Sequence, residues 1–494
     1  MSTNPYRFIC IFIFVLFPVM LHAQTNLENQ QIDKLVKTFV DLDQFSGTIL
    51  IAKQGKVVFS KGYGVANREW NVANTADTKF RIGSLTKQFT AMLILQLYQE
   101  GKIDLNGHIS DYLPYYRKDI GTKVTIHQLL SHTSGLGDFG SRDDFWEICK
   151  TEYTPREFIE KYCSVNLETE PGLRYRYSNS GYYILGAIIE SLRSKPYSEV
   201  LKERILDVIG MNSSGMEMKK EVLNKQASGY NLQYGKYTKP DYINLYAVIF
   251  AAGGMYATVG DLLKWDRALY TEQLLSKKNL ELLFKPNMEK YAYGIMFNKM
   301  KIPGLPFTSE FSSHTGAING FRSIIVREKH EQQAIIILGN TAPGGTNVDL
   351  NPISNKIYSI INGLNYEEPK LEIVQAMALK ILKGSVEEGI LFYRKEKLEK
   401  NRRFEFNLAE GELNTMGYYL LAQGKKAAAL AIFQLNTTEF PQSWNAFDSY
   451  AEALEGAGQI NESINNYKRS LTLNIDNIHA RERLKSLTGT TSEP

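Results

Sequence analysis

A serine followed three residues later by a lysine, Ser84-Leu-Thr-Lys87, opens an apolar run that continues to about Gln99. On a helix this spacing puts both side chains on one face, about a turn apart, so the amine reaches the hydroxyl. A serine hydroxyl is a weak nucleophile until a neighbouring base takes its proton. The start of the helix adds free backbone N–H groups and a positive dipole end where negative charge develops. The chain holds no other Ser-x-x-Lys.

Two more groupings carry chemistry. Tyr177-Ser-Asn179 follows the turn residues Pro171-Gly172. A tyrosine beside a lysine keeps phenolate character more easily and can accept a proton, and Asn179 offers a donor and an acceptor to an ester or amide. Tyr-x-Asn recurs at Tyr242-Ile-Asn244 without the Pro-Gly entry, and that copy is set aside. His314-Thr315-Gly316 ends a β-type run and precedes Ala317. The small residue lets backbone approach a ligand closely, and the N–H of Ala317 can join that of Ser84 in an oxyanion hole.

The elements that must position these groups follow from the pattern. Residues 31–40 read as a short helix, and Phe45 to Gly64 as a hairpin turning at Lys53-Gln-Gly-Lys56. Thr78 to Ile82 leads into the Ser84 helix, which is apolar on more than one face and therefore expected between layers. Helices are predicted over Pro155–Tyr162, Tyr182–Arg193 and Leu262–Tyr270, with Tyr175 to Gly181 as a loop. Strands are predicted over Phe311–Thr315, Phe321–Arg327 and Gln333–Leu338. Strands, a helical middle and strands again predict an α+β or α/β domain whose terminal strands share one sheet.

At 494 residues the chain exceeds one ordinary core, so two or three domains are expected. With 43% hydrophobic and 22% charged residues it is globular, and a net charge of +4 without a basic aromatic stripe gives no sign of nucleic acid. Arg7, the apolar run Phe8 to Met20 and a small residue at Ala23 read as a secretory signal peptide over residues 1–23, with the mature chain starting at Gln24. A retained anchor is the alternative, although the run is short of the roughly 20 residues a span needs. Cys10 lies inside that run, which argues against lipid attachment. Beyond the leader, Cys149 and Cys163 are either a disulfide or two buried thiols. The seven histidines show no metal-ligand spacing, no Gly-x-Ser-x-Gly elbow occurs, and no cofactor is implied.

After about residue 365 glycine thins and the pattern turns helical. Gly424 and Gly458 are 34 residues apart, as are Phe433 and Tyr467, a period that resembles the tetratricopeptide repeat. The organisation read from this is a hydrolase domain over 24–364, a helical linker over 365–404 and a repeat domain over 405–494.

Taken in order, Ser-x-x-Lys, Tyr-x-Asn and His-Thr-Gly resemble the serine β-lactamase and penicillin-recognising family, in its class C, D-alanyl-D-alanine carboxypeptidase and esterase branch. Thr125-Ile-His-Gln-Leu-Leu-Ser-His-Thr-Ser-Gly-Leu136 and Ala252-Gly-Gly-Met-Tyr-Ala-Thr258 match it too, so the resemblance spans roughly residues 30 to 350. It implies an α+β fold with an antiparallel sheet and a helical subdomain. It implies Ser84 as the acylated nucleophile, Lys87 and Tyr177 as the proton-transfer pair, and Asn179, His314, Thr315 and Gly316 along the acyl-side pocket. The lactamases usually carry lysine where this chain has His314, which moves weight toward esterase and peptidase relatives. The leading reading is an exported, periplasmic or secreted serine hydrolase acting on an ester, a D-amino-acid peptide or a β-lactam, with a protein partner for the repeats. The competing reading is a sensor or scaffold that keeps the fold without turnover.

Overall fold

The computed structural model describes residues 26–218, 221–300, 309–343, 349–406 and 408–489, so the leader at 1–23 lies outside the described residues. Six strands form one antiparallel sheet: β1 (Gly47–Lys53), β2 (Lys56–Tyr63), β3 (Met296–Met300), β4 (Ser309–Ile318), β5 (Phe321–Glu328) and β6 (Gln333–Gly339). Their order is β3-β4-β5-β6-β1-β2. The first hairpin turns at Gln54 and Gly55, with φ of 49° and 68°, a pairing that suits the twist of adjacent strands. β1 then pairs with β6, from Gly47 against Gly339 to Ala52 against Ala334, so the two ends of the domain share one sheet.

The helices that frame the site are α1 (residues 26–41), α2 (Thr86–Gln99), α3 (Asn179–Arg193), α4 (Val259–Ala268) and α5 (Asn351–Ile361). The two-residue period of the strands divides the core in two. Ile49, Ile51, Ile324, Val326, Ile335 and Ile337 cluster with Leu35 and Phe39 of α1 and Ile353 and Ile357 of α5. Leu50, Ala52, Ile325, Ile336 and Leu338 cluster with Phe89 and Leu93 of α2 and Trp265 of α4. Helix α2 is buried at every position from Thr86 to Leu97, as its all-round apolar pattern requires. Trp265 stacks on Phe89 at 4.2 Å between ring centroids, and its indole N–H donates to Gln88 Oε1 at 2.9 Å.

Several boundaries differ from the sequence reading: the helix expected over 31–40 runs over 26–41, and the strand expected over Phe311–Thr315 runs over Ser309–Ile318. Helix α3 begins at Asn179, inside the stretch expected as a loop, because Asp138 of a distant segment accepts the Asn179 N–H at 3.0 Å. Helix α4 begins at Val259, since Thr258 Oγ1 accepts the Asp261 N–H at 3.2 Å. The Pro155 helix is one α-turn to Phe158 that widens over Ile159–Cys163. Cys149 and Cys163 are free buried thiols, and burial pushes the Cys149 thiol up to about 12.

The chain divides into two compact units, the first ending at Glu368 and the second starting at Pro369. The second holds α6 (Ile373–Lys383), α7 (Val386–Leu398), α8 (Glu410–Ala422), α9 (Lys426–Glu439), α10 (Trp444–Gly456), α11 (Ile460–Leu473) and α12 (Ile478–Thr488). Starts at 410, 444 and 478, and at 426 and 460, repeat every 34 residues. Gly424 and Gly458 end α8 and α10 with φ of 72° and 78°, a left-handed turn that glycine adopts without a Cβ clash. Among the described residues no helix is long and apolar enough to cross a membrane.

Candidate active site

Ser84 stands in a tight turn, Gly83–Leu85, that runs directly into α2. The turn is held from two sides. On one, Phe80–Arg81 pairs with Met255–Ala257, the Ile82 N–H donates to the Met255 carbonyl at 3.0 Å, and Thr86 Oγ1 donates to the Gly83 carbonyl at 2.8 Å. On the other, Ser323 Oγ of β5 donates to the Ile82 carbonyl at 2.7 Å.

The i,i+3 spacing brings Lys87 Nζ to 3.1 Å from Ser84 Oγ. The same nitrogen lies 2.8 Å from Asn179 Oδ1 and 2.8 Å from the carbonyl of Ala252. Lys87 is fully buried, and burial lowers its amine from 10.5 to about 7, against the charge of Asp138, which pulls it back up. A neutral amine has two N–H donors and one lone pair. Two carbonyl oxygens, which can only accept, take both donors, and the lone pair is left for the Ser84 hydroxyl.

Tyr177 is in hydrogen-bond reach of Ser84, and its ring lies 4.8 Å from Lys87 Nζ. Its chemistry differs from the phenolate expectation: burial pushes the phenol well above its ordinary range, so the hydroxyl keeps its proton and is a donor. The ring packs 4.2 Å from that of His132, which also borders Tyr182 at 5.1 Å and Tyr291 at 4.7 Å. His132 Nδ1 accepts the Ser178 N–H at 3.1 Å, and burial holds this ring neutral.

His314, on β4, points into the same cluster. Its Nδ1 donates to the Thr315 carbonyl at 2.6 Å and its Nε2 accepts from the Tyr291 hydroxyl at 3.0 Å. Burial and the nearby Lys87 lower it to about 4, so it carries no charge at neutral pH. Thr315 is exposed. The close approach expected at Gly316 is made with the protein itself, because a Cβ there would lie 2.0 Å from the Ile82 carbonyl and 2.3 Å from Ser323 Oγ. Ala317 faces the turn that carries Ser84, since a Cβ on Gly83 would meet its N at 2.8 Å and its O at 3.0 Å. Strand β3 pairs with β4 only as far as Ser313, so it does not extend alongside His314 to Ala317.

Asn179 is committed at both ends of its amide: Oδ1 faces Lys87, and Nδ2 donates to Asp138 Oδ2 at 3.0 Å. The acceptor expected to meet substrate is therefore occupied by the lysine. Asp138 and Tyr291 are candidate site residues that no motif of the sequence contains, whereas His132 and Ala252 lie in the Thr125 to Leu136 and Ala252 to Thr258 phrases that match the family, without a role assigned there. Asn244, from the copy set aside, accepts the Ala247 N–H at 3.3 Å and starts a short helical turn. Among the described residues no group of three or more His, Cys, Asp and Glu could hold a metal ion.

An antiparallel sheet with a buried lysine at the hydroxyl of a helix-start serine defines the class to which comparison assigns the chain. The family described as Beta-lactamase matches residues 32–356, and the chain belongs to it. It is 31% identical over 334 residues to PbpX of Bacillus subtilis (strain 168), which bears the name of a penicillin-binding protein, covering 68% of this chain and 78% of that one. Among solved structures it is similar to the octameric penicillin-binding protein homologue from Pyrococcus abyssi, with 26% identity, a TM-score of 0.59 and coverage of 71% and 81%. It is also similar to the D-amino acid amidase from Ochrobactrum anthropi SV3, with 25% identity, a TM-score of 0.56 and coverage of 69% and 98%. The second unit lies beyond the family match.

Proposed function

We propose that the chain is an exported serine hydrolase that works through an acyl-enzyme on Ser84. The observation that carries this is Lys87 Nζ, 3.1 Å from Ser84 Oγ with two carbonyl oxygens 2.8 Å away, an arrangement that leaves the lone pair of the neutral amine for the serine hydroxyl. Ser84 Oγ bonds to the acyl carbon as its proton passes to Lys87 Nζ. The N–H groups of Ser84 and Ala317 take the oxyanion. The Tyr177 hydroxyl hands a proton to the leaving group and recovers one from the lysine ammonium. Water then attacks the ester, and Ser84 leaves with a proton.

A neutral His314 supports acyl donors without a carboxylate beside the scissile bond, such as carboxylic esters and D-amino-acid amides, over β-lactams. The named D-amino acid amidase among the similar structures supports the amide branch. The 34-residue spacing of the second unit supports a tetratricopeptide-like repeat that binds a protein partner, and the apolar run Phe8 to Met20 supports export.

Labelling with a fluorophosphonate probe tests the nucleophile. Ser84→Ala is expected to abolish it and Lys87→Ala to slow it steeply, and labelling of Ser84→Ala at the wild-type rate would end this reading. Initial rates on p-nitrophenyl esters, D-amino-acid amides and a chromogenic cephalosporin then rank the donors.

A further inference from the structure

Asp138 lies 41 residues before Asn179 in the chain and touches neither Ser84 nor Lys87 through any hydrogen bond in the structure, yet its carboxylate is built into the site. Oδ1 accepts the backbone N–H of Asn179 at 3.0 Å and Oδ2 accepts its side-chain Nδ2, also at 3.0 Å. The neighbours of Asp138 reinforce the docking. Phe139 N–H donates to Ser180 Oγ at 3.0 Å, and Ser178 Oγ donates to the Gly137 carbonyl at 3.5 Å. The carboxylate thus takes the place of a side-chain cap at the start of α3, where Ser178 provides none.

A side-chain amide can stand in two orientations, and its partners decide between them. A carboxylate only accepts, so the Asn179 NH₂ must face Asp138 and Oδ1 must face Lys87. In the reverse orientation an N–H of Asn179 would point at Lys87 Nζ and compete with the Ser84 hydroxyl for its lone pair. We infer that Asp138 is a positioning residue of this site, locking the Asn179 amide so that the Lys87 lone pair remains free for Ser84. It acts through Asn179 and does not meet the substrate. The inference rests on the proposed acylation of Ser84.

A second consequence is electrostatic. Lys87 faces the charge of Asp138, the rings of Tyr177 and Tyr182 at 4.8 and 5.6 Å, and two histidines, His132 and His314, that burial keeps neutral. Against the burial of Lys87, the charge of Asp138 raises the lysine's affinity for a proton. Removing its charge leaves the amine deprotonated at lower pH.

The experiment is the second-order rate of fluorophosphonate labelling between pH 5 and 9 for the full chain, Asp138→Asn, Asp138→Glu and Ser84→Ala. Asp138→Asn is expected to lower the plateau about 10- to 100-fold, as misplacing a reacting group does, and to move the acid limb to lower pH. Asp138→Glu keeps the charge and is expected to hold the acid limb in place. Loss of rate at all pH values with an unmoved acid limb in Asp138→Asn would reduce Asp138 to a helix cap and overturn the inference, as would a wild-type profile. Loss of labelling in Ser84→Ala shows that the acylation reading stands whichever way the Asp138 variants fall.

Discussion

At the scale of single residues, the proposed acylation depends on a lysine held where it is least comfortable. Burial lowers Lys87 to about 7, which would make it competent as a base near neutral pH instead of near 10.5. The labelling rate of the wild type is therefore expected to rise with pH through an acid limb near 7, read from the same pH series. The linkage to stability has a definite sign. Between about pH 7 and 10.5 the unfolded chain binds the lysine proton and the folded chain does not, so stability rises with pH across that window. Below pH 7 the penalty is fully present. Chemical denaturation at pH 6 and pH 9 should show the wild type gaining on Lys87→Met at the higher pH, and a constant gap would count against a depressed lysine. His314 extends the argument. It is neutral and 7% exposed, and its charge would act on Lys87 directly. His314→Lys is expected to move the acid limb lower, because a second cation disfavours protonation of Lys87. It should also favour carboxylated over neutral esters in kcat/KM, about 10-fold for a charge-assisted contact. Unchanged selectivity and an unchanged limb together would place position 314 outside the reacting site.

At the scale of elements, the turn that carries Ser84 is clamped between the Met255–Ala257 strand and the β4–β5 hairpin, and Gly316 is where the second clamp closes. A methyl group there would overlap the Ile82 carbonyl, so Gly316→Ala must push β4 away from the turn that carries Ser84. Overpacking of this kind costs about 1–3 kcal/mol. Thermal unfolding is expected to register that loss, and labelling to fall further than stability alone explains, because the N–H of Ala317 moves with the strand. A variant with wild-type labelling and melting would show that the strand can yield. What could be read from sequence divides along the same line. Ser84 and Lys87 meet because three residues of helix bring them together, so their contact is local and their spacing announces it. The strand alternation in Ile49–Ala52 and Ile335–Leu338 is local as well, and it marks two buried faces. Asp138 and Asn179 meet only once the chain has folded, and no period or spacing encodes a contact across 41 residues. The start of α3 was hidden for the same reason: Tyr175 to Gly181 reads as a loop by composition, and the group that caps the helix comes from elsewhere. The protonated state of Tyr177 is a property of burial, which composition does not report.

At the scale of the whole molecule, every candidate site residue from Ser84 to Ala317 lies in the unit that ends at Glu368, and the family match ends at residue 356. The second unit has a buried core of its own, with Leu413, Met416, Leu420, Ile432, Phe433, Leu454 and Tyr467 each no more than 1% exposed. Among the described residues, seven helices pack around that core, two pairs and one further helix of them spaced by 34 residues. Two units with separate cores are expected to unfold separately. A chain spanning residues 24–368 should fold and label on Ser84 at the wild-type rate, and a chain spanning 369–494 should show a helical circular-dichroism spectrum with a cooperative melt. Calorimetry of the full chain should then resolve two transitions, each matched by one fragment. A folded 24–368 fragment that fails to label while the full chain labels would show that the second unit completes the site, and a single transition shared by both halves would show that the units do not fold apart.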